Sequence, residues 1–168
     1  MTETQPRTAV YTGSFDPITL GHLNVIERGS RLVDWLFVGI GTNIEKMGLF
    51  SPEERQAMVG TATAHLPNVE VRIFEGLAVS FVHACNSHVM IRGIRPLTDM
   101  ASEITMMLAN RELESDIETV FLMADQQFAH VSSSLIKQIT PLASDEKLAK
   151  FIPASIIPQL RAKMPSVS

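Results

Sequence analysis

Five short apolar, β-rich runs alternate with helix-patterned segments along this chain, and that alternation leaves few folds open. The runs are Thr8–Thr12, Trp35–Ile40, Val69–Phe74, Val89–Ile91 and Thr119–Met123. Trp35–Ile40 is almost continuously apolar, the pattern of a strand buried on both faces. Between the runs the spacing predicts helices over Leu23–Leu32, Pro52–His65, Leu77–Asn86 and Thr98–Leu113. Ser51-Pro52-Glu53-Glu54 supplies an N-cap, a proline at the first helical position and a capping box. In the fourth helix Met100, Ile104, Met107 and Leu108 share one face. Further helical patterns follow at Ser132–Ile139, Ser144–Phe151 and Ile156–Met164. A β-α unit repeated five times implies an α/β fold, a five-stranded parallel sheet with helices on both faces and extra C-terminal helices. Right-handed crossovers give the strand order 3-2-1-4-5. The order then reverses between the first and fourth strands. Open α/β sheets bind ligands at that reversal, beyond the carboxyl ends of the strands.

The length of 168 residues predicts a single domain over 1–168, with flexible ends at 1–7 and 165–168. A net charge of -4 and a pI near 5.7 argue against a general nucleic-acid binder. An aromatic content of 6% argues against a base-stacking platform. Cys85 is the single cysteine, which excludes an internal disulfide, and its apolar surroundings predict a buried thiol. The N-terminus lacks a signal-peptide apolar region, and no apolar run nears the roughly 18 residues of a membrane span. The expectation is a soluble, cytoplasmic protein without a membrane partner.

The two most unusual loops fall at the expected reversal. Gly13-Ser14-Phe15-Asp16-Pro17 follows the first strand, and Arg92-Gly93-Ile94-Arg95-Pro96 follows the fourth. A Gly-Ser turn leading to a helix N-terminus, beside two arginines, suits an anion, most often phosphate. Each loop alone is also explained by turn chemistry with surface arginines. Gly21-His22 opens the first helix toward the same cleft; packing does not call for such a pair, and glycine lets the backbone approach a ligand. Ser132-Ser133-Ser134 offers hydroxyls and backbone N–H groups to phosphate, or simply caps a helix. Lys46 lies in the loop after the second strand, at the same end of the sheet, where a solvated lysine is the plain alternative. No metal site is expected, because His22, His65, His83, His88 and His130 lack ligand spacing. There is no Walker A lysine loop and no G-x-G-x-x-G. The residues describe a phosphate-binding cleft without a covalent nucleophile.

Thr12-Gly13-Ser14-Phe15-Asp16-Pro17-Ile18-Thr19-Leu20-Gly21-His22 resembles the signature of the nucleotidylyltransferase superfamily, whose hallmark is Thr-x-Gly-His. Arg92-Gly93-Ile94-Arg95, Asn110-Arg111, Glu118–Met123 and Ser132–Lys137 narrow the resemblance to the bacterial phosphopantetheine adenylyltransferases, over about Ala9–Met164. Met100-Ala101-Ser102 and Met47-Gly48 depart from the residues common there. The resemblance implies a Rossmann-like domain, cytoplasmic, that moves AMP from ATP to 4′-phosphopantetheine, giving dephospho-coenzyme A and pyrophosphate. It implies Mg²⁺ with the ATP, and a homo-hexamer. Carried over by position, Ser14 and Lys46 hold the acceptor phosphate, and His22 contacts the α-phosphate. Arg95, Ser132 and Ser133 face the β- and γ-phosphates. Leu77, Arg92 and Asn110 line the acceptor side. Gly13, Phe15, Gly93, Glu103 and Val131 shape the nucleotide pocket. Ser14, His22, Lys46 and Arg95 form the catalytic set implied. Another phosphate acceptor, or a non-catalytic nucleotide-binding homologue, remain the alternatives.

Overall fold

The computed structural model describes residues 5–42, 48–95 and 100–166. Five parallel strands form one sheet in the order β3-β2-β1-β4-β5: β1 (Thr8–Gly13), β2 (Trp35–Thr42), β3 (Val69–Glu75), β4 (Val89–Ile94) and β5 (Glu118–Met123). The helices are α1 (Leu20–Ser30), α2 (Pro52–Thr63), α3 (Ala78–Ala84), α4 (Met100–Leu113), α5 (Ser133–Ile139), α6 (Asp145–Leu148) and α7 (Ile157–Lys163). Order and element types match the sequence expectation. The first four strands run one to three residues past the ends of their runs, and β5 starts one residue earlier at Glu118, because backbone pairing does not require an apolar side chain.

Alternation along β1 divides the core. Ala9 and Tyr11 join a large cluster with Ile26 of α1, Met58 of α2, Ile136 of α5 and the C-terminal Leu148, Ile152, Ile156 and Leu160. Val10 points to the other face, where Phe37, Val79, Phe81, Val82, Cys85 and Met90 form a second cluster. Cys85 is buried and free, as expected.

The shared apolar face of α4 is largely uncovered: Met100, Ile104 and Leu108 are 39–55% exposed, Met107 is partly buried, and Asn110 is the buried residue. The helical period reports which residues share a face, but not whether this chain covers that face. The amino-terminal segment is anchored by Arg7, whose backbone N–H and guanidinium donate to Asp34 at 2.8 to 3.3 Å. Residues 1–4 lie outside the described residues.

β1 and β4 pair only at Val10↔Met90 and Tyr11↔Ile91. Beyond these pairs the two strands stay bonded to β2 and β5 but not to each other. This opens the sheet at the reversal of strand order.

Candidate functional site

Where β1 and β4 part, a cleft of about 340 Å³ is lined by Gly13, Ser14, Gly21, His22, Arg92, Gly93, Arg95, Glu103, Val131, Ser132 and Ser133, among others. The structure thus gathers residues from separate segments that lie as far apart as Tyr11 and Ser134. Phe15 and Asn110 are buried outside the lining, and Leu77 is exposed at the start of α3. Lys46 lies outside the described residues.

Arg92 spans the gap between the strands. Its Nη1 donates to the backbone oxygen of Thr12 at 2.9 Å and to Thr12 Oγ1 at 3.1 Å. Its Nε and Nη2 donate to the two carboxylate oxygens of Glu103, both at 2.7 Å. This bidentate pair fixes the guanidinium plane and carries α4 against the cleft. Arg95 Nη1 donates to Val131 O at 3.3 Å, joining the fourth loop to the serine loop.

His22 of the Gly-His pair has a structural use other than packing. Thr19 caps α1, with its Oγ1 accepting from the His22 backbone N–H at 3.3 Å. In return His22 Nδ1 accepts from the Thr19 backbone N–H at 3.1 Å. This is a capping box with histidine in the usual Glu/Gln position. A backbone N–H can only donate, so Nδ1 carries no proton and neutral His22 is protonated on Nε2. Burial lowers the imidazole to a pKa of about 4, and Arg95 and Arg92 push the same way. At neutral pH the cleft therefore holds an uncharged N–H donor, oriented by the cap.

Phe15 supports that ring from below. Its ring lies edge-on to His22 at 5.0 Å and to Tyr11 at 5.4 Å. Phe15 has a positive φ of 48°, a conformation that non-glycine residues adopt rarely. A Cβ on Gly13 would meet the Phe15 ring at 3.0 Å, so glycine is needed there for contact rather than for φ.

The serine loop divides its work. Ser132 caps α5, its Oγ accepting from Leu135 N at 3.1 Å, which leaves the hydroxyl proton to donate elsewhere. Ser133 Oγ donates to Pro17 O at 2.8 Å, so its proton is already engaged.

Comparison with known proteins shows the family. A family model described as cytidylyltransferase-like matches residues 10–139. Phosphopantetheine adenylyltransferase of Rhodopirellula baltica is 64% identical over 161 residues, covering 95% of this chain and 90% of the relative. The enzyme of that name from Clostridium botulinum (strain Eklund 17B / Type B) is 47% identical, with 78% of this chain and 82% of the relative covered. The chain belongs to the phosphopantetheine adenylyltransferase family. The structure of Plasmodium falciparum nicotinic acid mononucleotide adenylyltransferase matches with a TM-score of 0.67 over 95% of this chain and 98% of that one. At 14% identity that likeness speaks for the fold alone.

Two supports of this family member's site escaped the sequence reading. Arg55 of α2 is buried, and its Nη1 donates to Ser14 O at 2.7 Å and Gly41 O at 3.1 Å. It fixes the loop after β1 from beneath. Asp16 accepts from the backbone N–H groups of Leu49 and Phe50, each at 2.9 Å, and from Lys137 Nζ at 2.6 Å. Burial raises the Asp16 pKa, but Lys137 and the two amides outweigh it and hold the carboxyl below its ordinary value. Glu103 is the sole carboxylate among the described lining residues, and both its oxygens serve Arg92. The described cleft thus offers no carboxylate cage for a divalent ion.

Proposed function

We propose that this cleft transfers AMP from ATP to 4′-phosphopantetheine in the following way. An oxygen of the acceptor phosphate attacks the α-phosphorus of ATP. The new P–O bond forms as the bond to the β-phosphate breaks, and pyrophosphate leaves. The acceptor phosphate is mostly dianionic at neutral pH, so the attack needs no general base. Catalysis is then positioning plus stabilisation of the charge on the transferring phosphoryl group. Neutral His22, protonated on Nε2, donates to the α-phosphate oxygen where charge grows. Arg95, the Ser132 hydroxyl and the backbone N–H groups at the start of α5 face the β- and γ-phosphates. Ser133 contributes there through its backbone, since its hydroxyl bonds Pro17. Gly13, Gly93 and Val131 shape the nucleotide pocket, Glu103 through its hold on Arg92, and Phe15 by supporting His22. Ser14 and Lys46 hold the acceptor phosphate, with Arg92 beside them. The longer arm of the acceptor runs past Leu77 toward α4 and Asn110.

The observation that carries this reading is the convergence of His22, Arg92, Arg95 and the serine loop where β1 and β4 separate. With Glu103 the sole carboxylate of the described lining, Mg²⁺ would be held chiefly by the ATP phosphates and would supply charge neutralisation there. A homo-hexamer is supported by the uncovered side chains of α4, together with Val120 and Met123 of the edge strand β5. Among the described residues no helix is long and apolar enough to cross a membrane, and we place the reaction in the cytoplasm.

The test is pyrophosphate release with a panel of phosphate acceptors, with product mass measured. Turnover with 4′-phosphopantetheine, yielding dephospho-coenzyme A, is expected. Turnover only with a different acceptor overturns the substrate assignment. Tight ATP binding without turnover on any acceptor makes the chain a binding homologue.

A further inference from the structure

At the amino-terminal end of the sheet, opposite the cleft, a second group of side chains converges. His83 lies in α3, His88 directly precedes β4, and Glu114 and Asp116 lie in the turn between α4 and β5. His83 Nε2 is 3.4 Å from Glu114 Oε2 and 3.6 Å from Asp116 Oδ1. His88 Nδ1 is 3.0 Å from Asp116 Oδ2. One donor atom from each of His83, His88 and Asp116 falls within 4.8 Å of the others.

We propose that His83, His88 and Asp116 bind a late first-row divalent cation such as Zn²⁺, with Glu114 or water in the fourth position. The donor set is two imidazoles and a carboxylate, a combination that suits zinc. Zinc ligands stand about 2.0–2.1 Å from the ion, so neighbours in a tetrahedron are about 3.3 Å apart. His83 and His88 approach Asp116 at 3.6 and 3.0 Å through its two different oxygens, and with one donor atom per residue the three lie within 4.8 Å, so the rings and the carboxylate have to turn slightly to close on an ion. The backbone that carries the donors is held in place. Glu118 N donates to His88 O at 2.8 Å, docking the start of β5 beside His88. Ile117 N donates to Glu114 O at 3.3 Å, closing the turn that presents both carboxylates. The histidines are five positions apart, and Asp116 comes 28 positions after His88, so ligand spacing along the chain gave no signal. A bound ion would join α3, β4 and β5 at the end of the sheet remote from the cleft.

The test is calorimetric titration of ZnCl₂ into the full chain without nucleotide or chelator, beside His88→Ala and Asp116→Asn. His88 and Asp116 are 70% and 52% exposed, so both variants are expected to fold, which melting without metal checks. Wild type should bind one Zn²⁺ per chain and melt higher with it. Each variant should bind at least about tenfold more weakly, since changes even to residues that merely orient metal ligands cost 10–100-fold. Adenylyl transfer should be unchanged in both. Absence of saturable Zn²⁺ binding to wild type overturns the proposal, and so does undiminished binding by both variants.

Discussion

Replacing Asp16 tests how the cleft is held together. Its carboxylate joins the loop after β1, the segment entering α2 and helix α5, through two amide donors and Lys137. Asp16→Ala leaves those three donors without their acceptor. Asp16 has a side chain only 9% exposed, so water replaces it poorly, whereas Lys137 at 37% recovers part of its hydration. Two orphaned amides cost about 1–3 kcal/mol each, and loss of one partner of a buried pair about 3–5 kcal/mol in total. Relaxation and the exposure of Lys137 put the expected loss at about 3–4 kcal/mol. Asp16→Asn keeps one acceptor oxygen and should lose about half as much. Urea unfolding at pH 7 measures both. The carboxyl pKa is depressed in the folded state, so its stabilisation is complete above the ordinary carboxylate range. As pH falls below about 4, toward the depressed value, the gap between wild type and Asp16→Asn should close. A loss under 1 kcal/mol for Asp16→Ala, or a gap that stays constant down to pH 3, refutes this reasoning.

Other consequences follow from contact geometry. A Cβ at Gly39 would lie 2.4 Å from the Phe81 ring, so Gly39→Ala should destabilise by about 1–3 kcal/mol in urea unfolding. Gly60, inside α2, has nothing within 4 Å of an added Cβ, so Gly60→Ala should stabilise by up to about 1 kcal/mol. Arg55→Ala should raise KM for ATP and acceptor while the circular-dichroism spectrum keeps its α/β shape, because the backbone of Ser14 loses its anchor. Ser132→Ala should reduce the thermal stabilisation given by ATP more than Ser133→Ala does, because only Ser132 has a hydroxyl proton left to offer.

The topology was legible because each strand is a short apolar run bounded by turn residues, and because parallel crossovers have one hand. The cleft was legible because Gly13-Ser14 and Arg92–Arg95 sit at the carboxyl ends of strands and Gly21-His22 at a helix start, where chain order fixes position. What stayed hidden depends on contacts between distant positions. Arg55 reaches Ser14 across 41 residues, and Lys137 reaches Asp16 across 121. Neither partner belongs to a local pattern. The cap role of His22 was readable in principle from Thr19-x-x-His22, since a capping box has that spacing. It was missed because histidine replaces the usual Glu or Gln. The exposed face of α4 could not be read from periodicity, which is silent about what covers a helix.

The most direct test is the single-turnover rate of His22→Ala with saturating ATP and 4′-phosphopantetheine, beside its ATP affinity. Losing the cap costs about 1 kcal/mol of stability, too little to unfold the chain or to account for a large loss of rate. If His22 is the neutral donor to the transferring phosphate, the rate falls by about 10²–10³ while ATP affinity changes only a few-fold. A rate within tenfold of wild type, or a loss matched by equal weakening of ATP binding, would contradict the account.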